Sequence, residues 1–359
     1  MSINLSTFWT TWGVSSGDTS STNQYDFWRG LIMTGGTRMN SQYDFFTFNN
    51  TTRYQFFKNL NSTYPEVWDE YTFYQNTNDA RIYDFNTFYQ YAAQSLPGGV
   101  TPAPMNASGG TVTQITDGGF TYNVHTFTSN GTFTVNTLGT SPSNFEYLIV
   151  GGGGGGALDD GGGGAGAGGF LTGTTGLSVT SYSVIIGSGG TGGSGITLET
   201  QSQSGGSTTF GSFNALGGGY GGQFSVVRDR NGGVGASGGG GGNNGGLGAS
   251  GTSPQGNAGG NGDGTTPGNR AGGGGGGYLT AGSVGNSATP LGGAGGSGVV
   301  STINGSSTTY CEGGDGGYSG KGNGANGTAN RGNGGDGAGS VGTTGGNGGS
   351  GIVIVRYKV

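Results

Sequence analysis

The residues able to do chemistry in this 359-residue chain are few and scattered. There is one histidine, His125, and one cysteine, Cys311. These single occurrences exclude a Cys/His metal site, an intrachain disulfide and most triad chemistry. Gly235-Ala236-Ser237-Gly238-Gly239 has the spelling of a nucleophile elbow. That turn requires a strand before it, a helix after it and a histidine base. Glycine flanks the motif on both sides, so it reads as a chance match. Gly320-Lys321 resembles the end of a phosphate-binding loop, but Gly322 stands where Ser or Thr would hold the metal.

Carboxylates offer somewhat more. Gly313-Gly314-Asp315-Gly316 and Gly334-Gly335-Asp336-Gly337 have the look of calcium-binding nonapeptides, without the later Asp and apolar positions in tandem. Both read as turn aspartates. Asp159-Asp160 sits on a Gly-rich loop, where a solvated tip is expected ahead of a hard-cation site. His125 alternates with Phe127 on an expected strand and reads as a sheet residue. Cys311 ends another and reads as a small buried hydrophobe. No catalytic, metal or cofactor-binding residue is expected, and the chain reads as a non-enzyme.

The elements that must position these residues are set by glycine. Of 93 glycines, 80 fall between Gly151 and Gly351. Tyr147-Leu148-Ile149-Val150 leads into this stretch and Ile352-Val353-Ile354-Val355-Arg356-Tyr357 closes it. A flexible linker needs no strand at each end; a folded domain that projects Gly-rich excursions from a sheet does. Within the stretch the glycines recur at every third position, as at Gly339, Gly342, Gly345, Gly348 and Gly351, or Gly292, Gly295 and Gly298. Three residues per turn is the polyproline-II period. With 8 prolines and repeated phase breaks, collagen is excluded. Ordering a glycine costs roughly 0.5–1 kcal/mol more than ordering alanine. Few side chains are present to offset this, so either dense backbone hydrogen bonding holds the stretch or much of it is mobile. The flanking strands favour the ordered alternative.

Upstream, residues 1–96 hold all four tryptophans and a recurring Tyr-Asp-Phe theme. Tyr25, Phe27, Trp28, Tyr43, Phe45, Tyr83 and Phe85 belong to it. Most copies follow a polar segment rich in Ser, Thr and Asn, good N-caps, and each reads as a short helix. The aromatics are expected to pack together or to form a docking surface. Residues 97–110 carry Pro97, Gly98, Gly99, Pro102 and Pro104 and read as a linker. From Thr111 alternation takes over. Strands are expected over 111–116, 120–128, 132–135, 144–150, 177–179, 183–186, 207–210, 298–303, 308–311 and 352–357, with Ser129-Asn130-Gly131 turning a hairpin. The fold class is mainly β: a sandwich with Gly-rich loops or polyglycine-II-like helices over 111–359, preceded by a small helical domain.

The net charge of −6 and pI near 4.6 give no basic footprint for nucleic acid. No run reaches the roughly 18 apolar residues of a membrane span. Met1-Ser2-Ile3-Asn4-Leu5 lacks the charged and apolar regions of a signal peptide, and none is expected. Side chains stranded among glycines, Tyr220, Phe224, Arg228, Asp229, Arg230, Tyr278 and Tyr318, are the candidates for recognition or, for some of them, for plugging the base of the loop bundle. Tyr and Arg are favoured interface anchors.

Phe120-Thr121-Tyr122-Asn123-Val124-His125-Thr126-Phe127-Thr128, Gly131-Thr132-Phe133-Thr134-Val135, Tyr147 to Gly154, Val184-Ile185-Ile186-Gly187 and Gly348 to Tyr357 resemble the glycine-rich domain of bacteriophage tail-fibre, adhesin and appendage proteins. The likeness covers about residues 111–359. It implies a β-sandwich on a virion or cell surface, with no catalytic residues to carry over. It further implies other virion proteins as partners through the N-terminal domain, a host surface glycan or protein as the ligand, and a homo-oligomer, a trimer if the usual threefold fibre holds. Decoration of a capsid or neck without a receptor is the alternative. A cellular structural or ice-binding protein is a third reading, and the phase breaks count against it.

Overall fold

The computed structural model describes residues 105–138, 144–158, 160–195, 200–223, 230–264 and 269–359. The expected helices of residues 1–96, and every aromatic assigned to docking, lie outside them. Among the described residues the structure is all-β, with no α-helix. The strands are β1 (Asn106–Ser108), β2 (Thr111–Asp117), β3 (Phe120–Phe127), β4 (Gly131–Thr137), β5 (Asn144–Val150), β6 (Phe170–Gly176), β7 (Ser181–Ile185), β8 (Thr208–Phe210), β9 (Phe213–Ala215), β10 (Val299–Ser301), β11 (Thr308–Tyr310) and β12 (Ile352–Lys358).

One five-stranded sheet runs β2-β3-β12-β5-β6 and a second runs β1-β4-β7-β8-β9. In the first, every pairing is antiparallel, with β12 between β3 and β5. The chain's last strand therefore closes the centre of the sheet. Gly118 and Gly119 turn β2 into β3 with φ of 56° and 83°. Two successive positive φ values are the requirement of a tight primed turn.

The sheets face one another through aromatic rings. Phe133 of β4 meets Phe145 of β5 edge-on at 5.8 Å, and His125 of β3 at 5.1 Å. Tyr357 of β12 meets Phe145 at 5.5 Å. The opposite face of the first sheet is also covered. Ile303 and Tyr310, from the antiparallel β10–β11 pair and its turn, share a buried cluster with Val124, Leu148, Phe170, Ile352 and Ile354. Burial on both faces explains why β12 is apolar at nearly every position.

The expected hairpin across Ser129-Asn130-Gly131 does not form. β3 pairs with β2 and β12, whereas β4 pairs with β7, Gly131 opposite Val184. The turn instead carries the chain from one sheet to the other. Asn130 fixes it there, its Oδ1 accepting the Ile186 N–H at 2.8 Å. The strand expected over 177–179 is also displaced: β6 lies just before it, over Phe170–Gly176.

Between the strands, glycine segments run out from the sheets and back, side by side. Residues 151–157 show how they are held. The N–H groups of Gly151, Gly154 and Ala157 donate to Gly169, Gly166 and Gly163; those of Gly152 and Gly155 to Gly206 and Gln203; those of Gly153 and Gly156 to Gly349 and Gly346. Each set of donors reaches an antiparallel segment. The carbonyls accept from parallel ones: Gly153 and Gly156 from Gly190 and Gly193, Gly152 and Gly155 from Gly218 and Gly221, Gly154 and Ala157 from Gly335 and Ala338. The segment is thus enclosed by six others, and its hydrogen bonds turn through them with a period of three residues. That is the period of the polyproline-II conformation.

Position in this lattice dictates composition. In an enclosed segment every residue faces a neighbouring backbone. A Cβ built at Gly153 falls on the Asn333 carbonyl, at Gly154 on that of Gly219, and at Gly155 on that of Thr191. Residues 151–158, 161–170 and 271–277 are buried throughout the described positions and carry the consecutive glycines, with Ala, and at the segment ends Leu158 and Phe170, as the few exceptions. An outer segment turns one residue in three to solvent. Leu291, Ala294 and Ser297 are exposed, while Gly293 and Gly296 between them are buried. The period-three glycines are therefore flank segments, and the unbroken runs are interior ones.

Candidate functional site

The segments leave the sheets at one end of the bundle and turn back at the other, about 22 Å away for the seven steps from Gly151 to Leu158 at ~3.1 Å each. At this far end the chain leaves the lattice and longer side chains gather. Asp160 forms an ion pair with Arg270. The Asn243 side chain, fully buried, donates to the Asp160 carbonyl, and the Asn243 N–H donates to Gly161 O at 2.9 Å. Arg270 N–H reaches Ser319 Oγ at 3.1 Å, beside Tyr318. Asp263 Oδ2 accepts both the N–H and the hydroxyl of Ser287 at 2.9 Å.

The sequence-predicted recognition residues are spread along the bundle. Arg230 stands toward the far end, its carbonyl accepting from Gly242 at 2.8 Å, whereas Tyr220 lies midway along a flank, level with Gly154 and Gly155, its carbonyl accepting from Gly233 at 2.8 Å. The Tyr220 ring lies over Gly233, where a Cβ would collide with it. Tyr318 also stands at the far end, its backbone bridged to Ala271. Tyr278 sits at the sheet end, its ring 5.0 Å from Phe170 and packed on the core cluster. Phe224, Arg228 and Asp229 lie outside the described residues. Sequence reading missed Arg270; its one signal is a cation placed just before an unbroken glycine run.

The residues with catalytic spelling stand apart from one another. Ser237 is fully buried in a lattice segment, its backbone bonded to Ala167 O and Gly219 N. His125 is fully buried between the sheets. Burial lowers its pKa, opposed by the hydrogen bond to the Gly109 carbonyl. Burial pushes the Cys311 thiol far up. Lys321 Nζ sits 3.3 Å from Asp336 Oδ2. Among the described residues no three His, Cys, Asp or Glu side chains group as metal ligands.

Asp315 and Asp336 line an open polar groove of about 420 Å³ on the bundle flank, with Glu312, Asn326 and Asn333. Both aspartates accept backbone hydrogen bonds there. Asp315 Oδ1 takes the Gly295 N–H at 2.7 Å and Asp336 Oδ1 that of Asp315 at 2.9 Å.

These features define an all-β, glycine-rich scaffold with polar loops at its far end. The family model for a glycine-rich domain matches residues 128–358, more than half of the chain, and the protein belongs to that family. No curated protein matches it significantly.

Proposed function

We propose that the protein is a non-enzymatic structural appendage of a bacteriophage virion, of the tail-fibre or adhesin kind. In this reading a β-sandwich bears a polyglycine-II bundle and holds its far end out toward the host. The aromatic block of residues 1–96 docks to other virion proteins, and the appendage acts as a homo-oligomer on the particle surface. The observation that carries the reading is the separation of roles along the bundle: a backbone-bonded lattice below, Arg230, Arg270 and Tyr318 toward its far end, and Tyr220 on the flank behind them. Tyr and Arg on a rigid support are favourable for recognition, because little ordering is left to do on binding. The resemblance of residues 111–359 to phage appendage domains supplies the biological setting.

The test is binding of the full chain to bacterial cells and to a glycan array. The Tyr220→Ala/Arg230→Ala/Tyr318→Ala variant is expected to lose at least about tenfold in affinity with its melting temperature little changed. Binding that survives in this variant would move the site elsewhere. A folded chain that binds no cell and no glycan would replace host attachment by decoration of the particle.

A further inference from the structure

A lattice of extended segments has the weakness of a sheet edge. Each flank presents rows of N–H and C=O groups to which another extended chain could add. Here the N–H rows on the flanks are closed by side-chain oxygens. Asn326 Oδ1 accepts the Asn347 N–H at 2.8 Å, and Asn347 Oδ1 in turn accepts that of Gly192 at 2.8 Å. Asn323 Oδ1 accepts from Thr344 at 3.0 Å. The aspartates of the groove do the same for Gly295 and Asp315. On another part of the perimeter, Asn231 Oδ1 takes the Leu247 N–H and Asn261 Oδ1 that of Gly248, both at 2.9 Å.

The arrangement repeats. Asp315 and Asp336, Asn323 and Thr344, and Asn326 and Asn347 are each 21 residues apart. Residues 312–315 and 334–337 run parallel, Gly334 donating to Glu312 and Gly337 to Asp315. A carboxylate or carboxamide oxygen thus recurs where the carbonyl of one more glycine segment would stand. Asn and Asp are short enough to place an oxygen there.

We infer that these Asn and Asp side chains keep a second copy of the domain from adding an extended glycine chain to the bundle flank. The partner that the uncapped flank fits is another glycine-rich segment of the same protein. The bundle ends laterally because its outer N–H groups are already satisfied.

The test uses the full-length protein, with wild type setting the reference mass at each concentration. The neutral Asn326→Ala/Asn347→Ala variant is expected to associate further at a concentration at least about tenfold lower than wild type, by light scattering after size exclusion. A folded variant with the wild-type mass profile would overturn the inference. Asp315→Asn keeps an oxygen and loses a charge, so it should behave as wild type. If it associates as strongly as Asp315→Ala, charge repulsion and not capping separates the copies. Should the double variant fail to fold, hydrogen exchange of the 292–298 peptide in Asp315→Ala decides. Exchange at least about tenfold faster at Gly295 is expected if the cap holds that amide, and unchanged exchange would refute it.

Discussion

The Tyr357 hydroxyl stands 3.4 Å from Nε2 of His125, between two buried sheets. Tyr357 also accepts the Ala107 N–H at 3.0 Å and a hydrogen of Asn123 Nδ2 at 3.3 Å. Its lone pairs are taken, so its own hydrogen points to Nε2. On the other side Nδ1 lies 2.8 Å from the Gly109 carbonyl, which only accepts. The imidazole is therefore neutral with its hydrogen on Nδ1. A second proton on Nε2 would face an oxygen with no lone pair left.

Acid should weaken the fold through this pair. The folded-state pKa of His125 is lowered from 6.5 by burial, so the unfolded chain takes the proton first. The full contribution is present above pH ~6.5 and is lost as pH falls toward the folded value, by at most about 1.4 kcal/mol per unit. Denaturant titrations between pH 7.5 and 5 measure it. A His125→Gln variant should show a shallower slope over that interval, and an equal slope would assign the effect to other groups.

Enclosed glycines should be intolerant and outward residues tolerant. Gly153→Ala drives a methyl into the Asn333 carbonyl and is expected to cost about 3 kcal/mol or more, because six segments must shift together. Val234, 74 % exposed on a flank segment, should change by less than about 0.5 kcal/mol when replaced by Ala. Thermal and urea unfolding of the two variants test the contrast.

Arg356 ties its strand β12 to three others of the first sheet, β5, β2 and β3. Its Nε and Nη2 donate to Glu146 at 2.9 and 2.7 Å, Nη1 to Asp117 at 2.9 Å, and the guanidinium lies 4.4 Å from the Tyr122 ring centre. Both carboxylates are partly exposed, which limits the value of the pairs. Arg356→Ala is expected to cost about 1–2 kcal/mol, and Arg356→Lys to recover only part, since lysine lacks the fork and the planar stack. A Lys variant equal to wild type would reduce the role of Arg356 to its charge.

Cys311 should be silent in the native protein. The thiol is buried and its pKa raised, so little thiolate forms. Alkylation at pH 8 should be at least about a hundredfold slower than in denaturant, read by intact mass. Fast native labelling would show that the core beneath β11 opens readily.

The strands legible in the sequence were those with alternation or an apolar run. Thr111–Asp117, Phe120–Phe127, Asn144–Val150 and Ile352–Lys358 lie within a residue or so of expectation. Phe170–Gly176 escaped because threonine and glycine fill it and only Phe170 is buried. The sheet switch at Asn130 was illegible because Ser-Asn-Gly serves a hairpin equally well; the Ile186 amide 56 residues on decides it. Period-three glycine pointed to packed segments, but not to which segment adjoins which. Tyr220, Arg230 and Tyr318 were legible as long side chains among glycines, whereas Arg270 and the capping role of Asp315 and Asp336 depend on neighbours distant in sequence.

The outward residue of each flank segment has a wider consequence. Successive outward positions, such as Leu291, Ala294 and Ser297, are spaced by about 9 Å along the axis at three residues of ~3.1 Å. Apart from the Asn and Asp that cap outer N–H groups, such side chains take no part in holding the lattice, which backbone amides secure. The flank is a pegboard: its holes are fixed by glycine, and its pegs can be exchanged one at a time. Surface chemistry could then be rewritten without renegotiating the core, a freedom that ordinary sheets and helices, stabilised through their side chains, do not have.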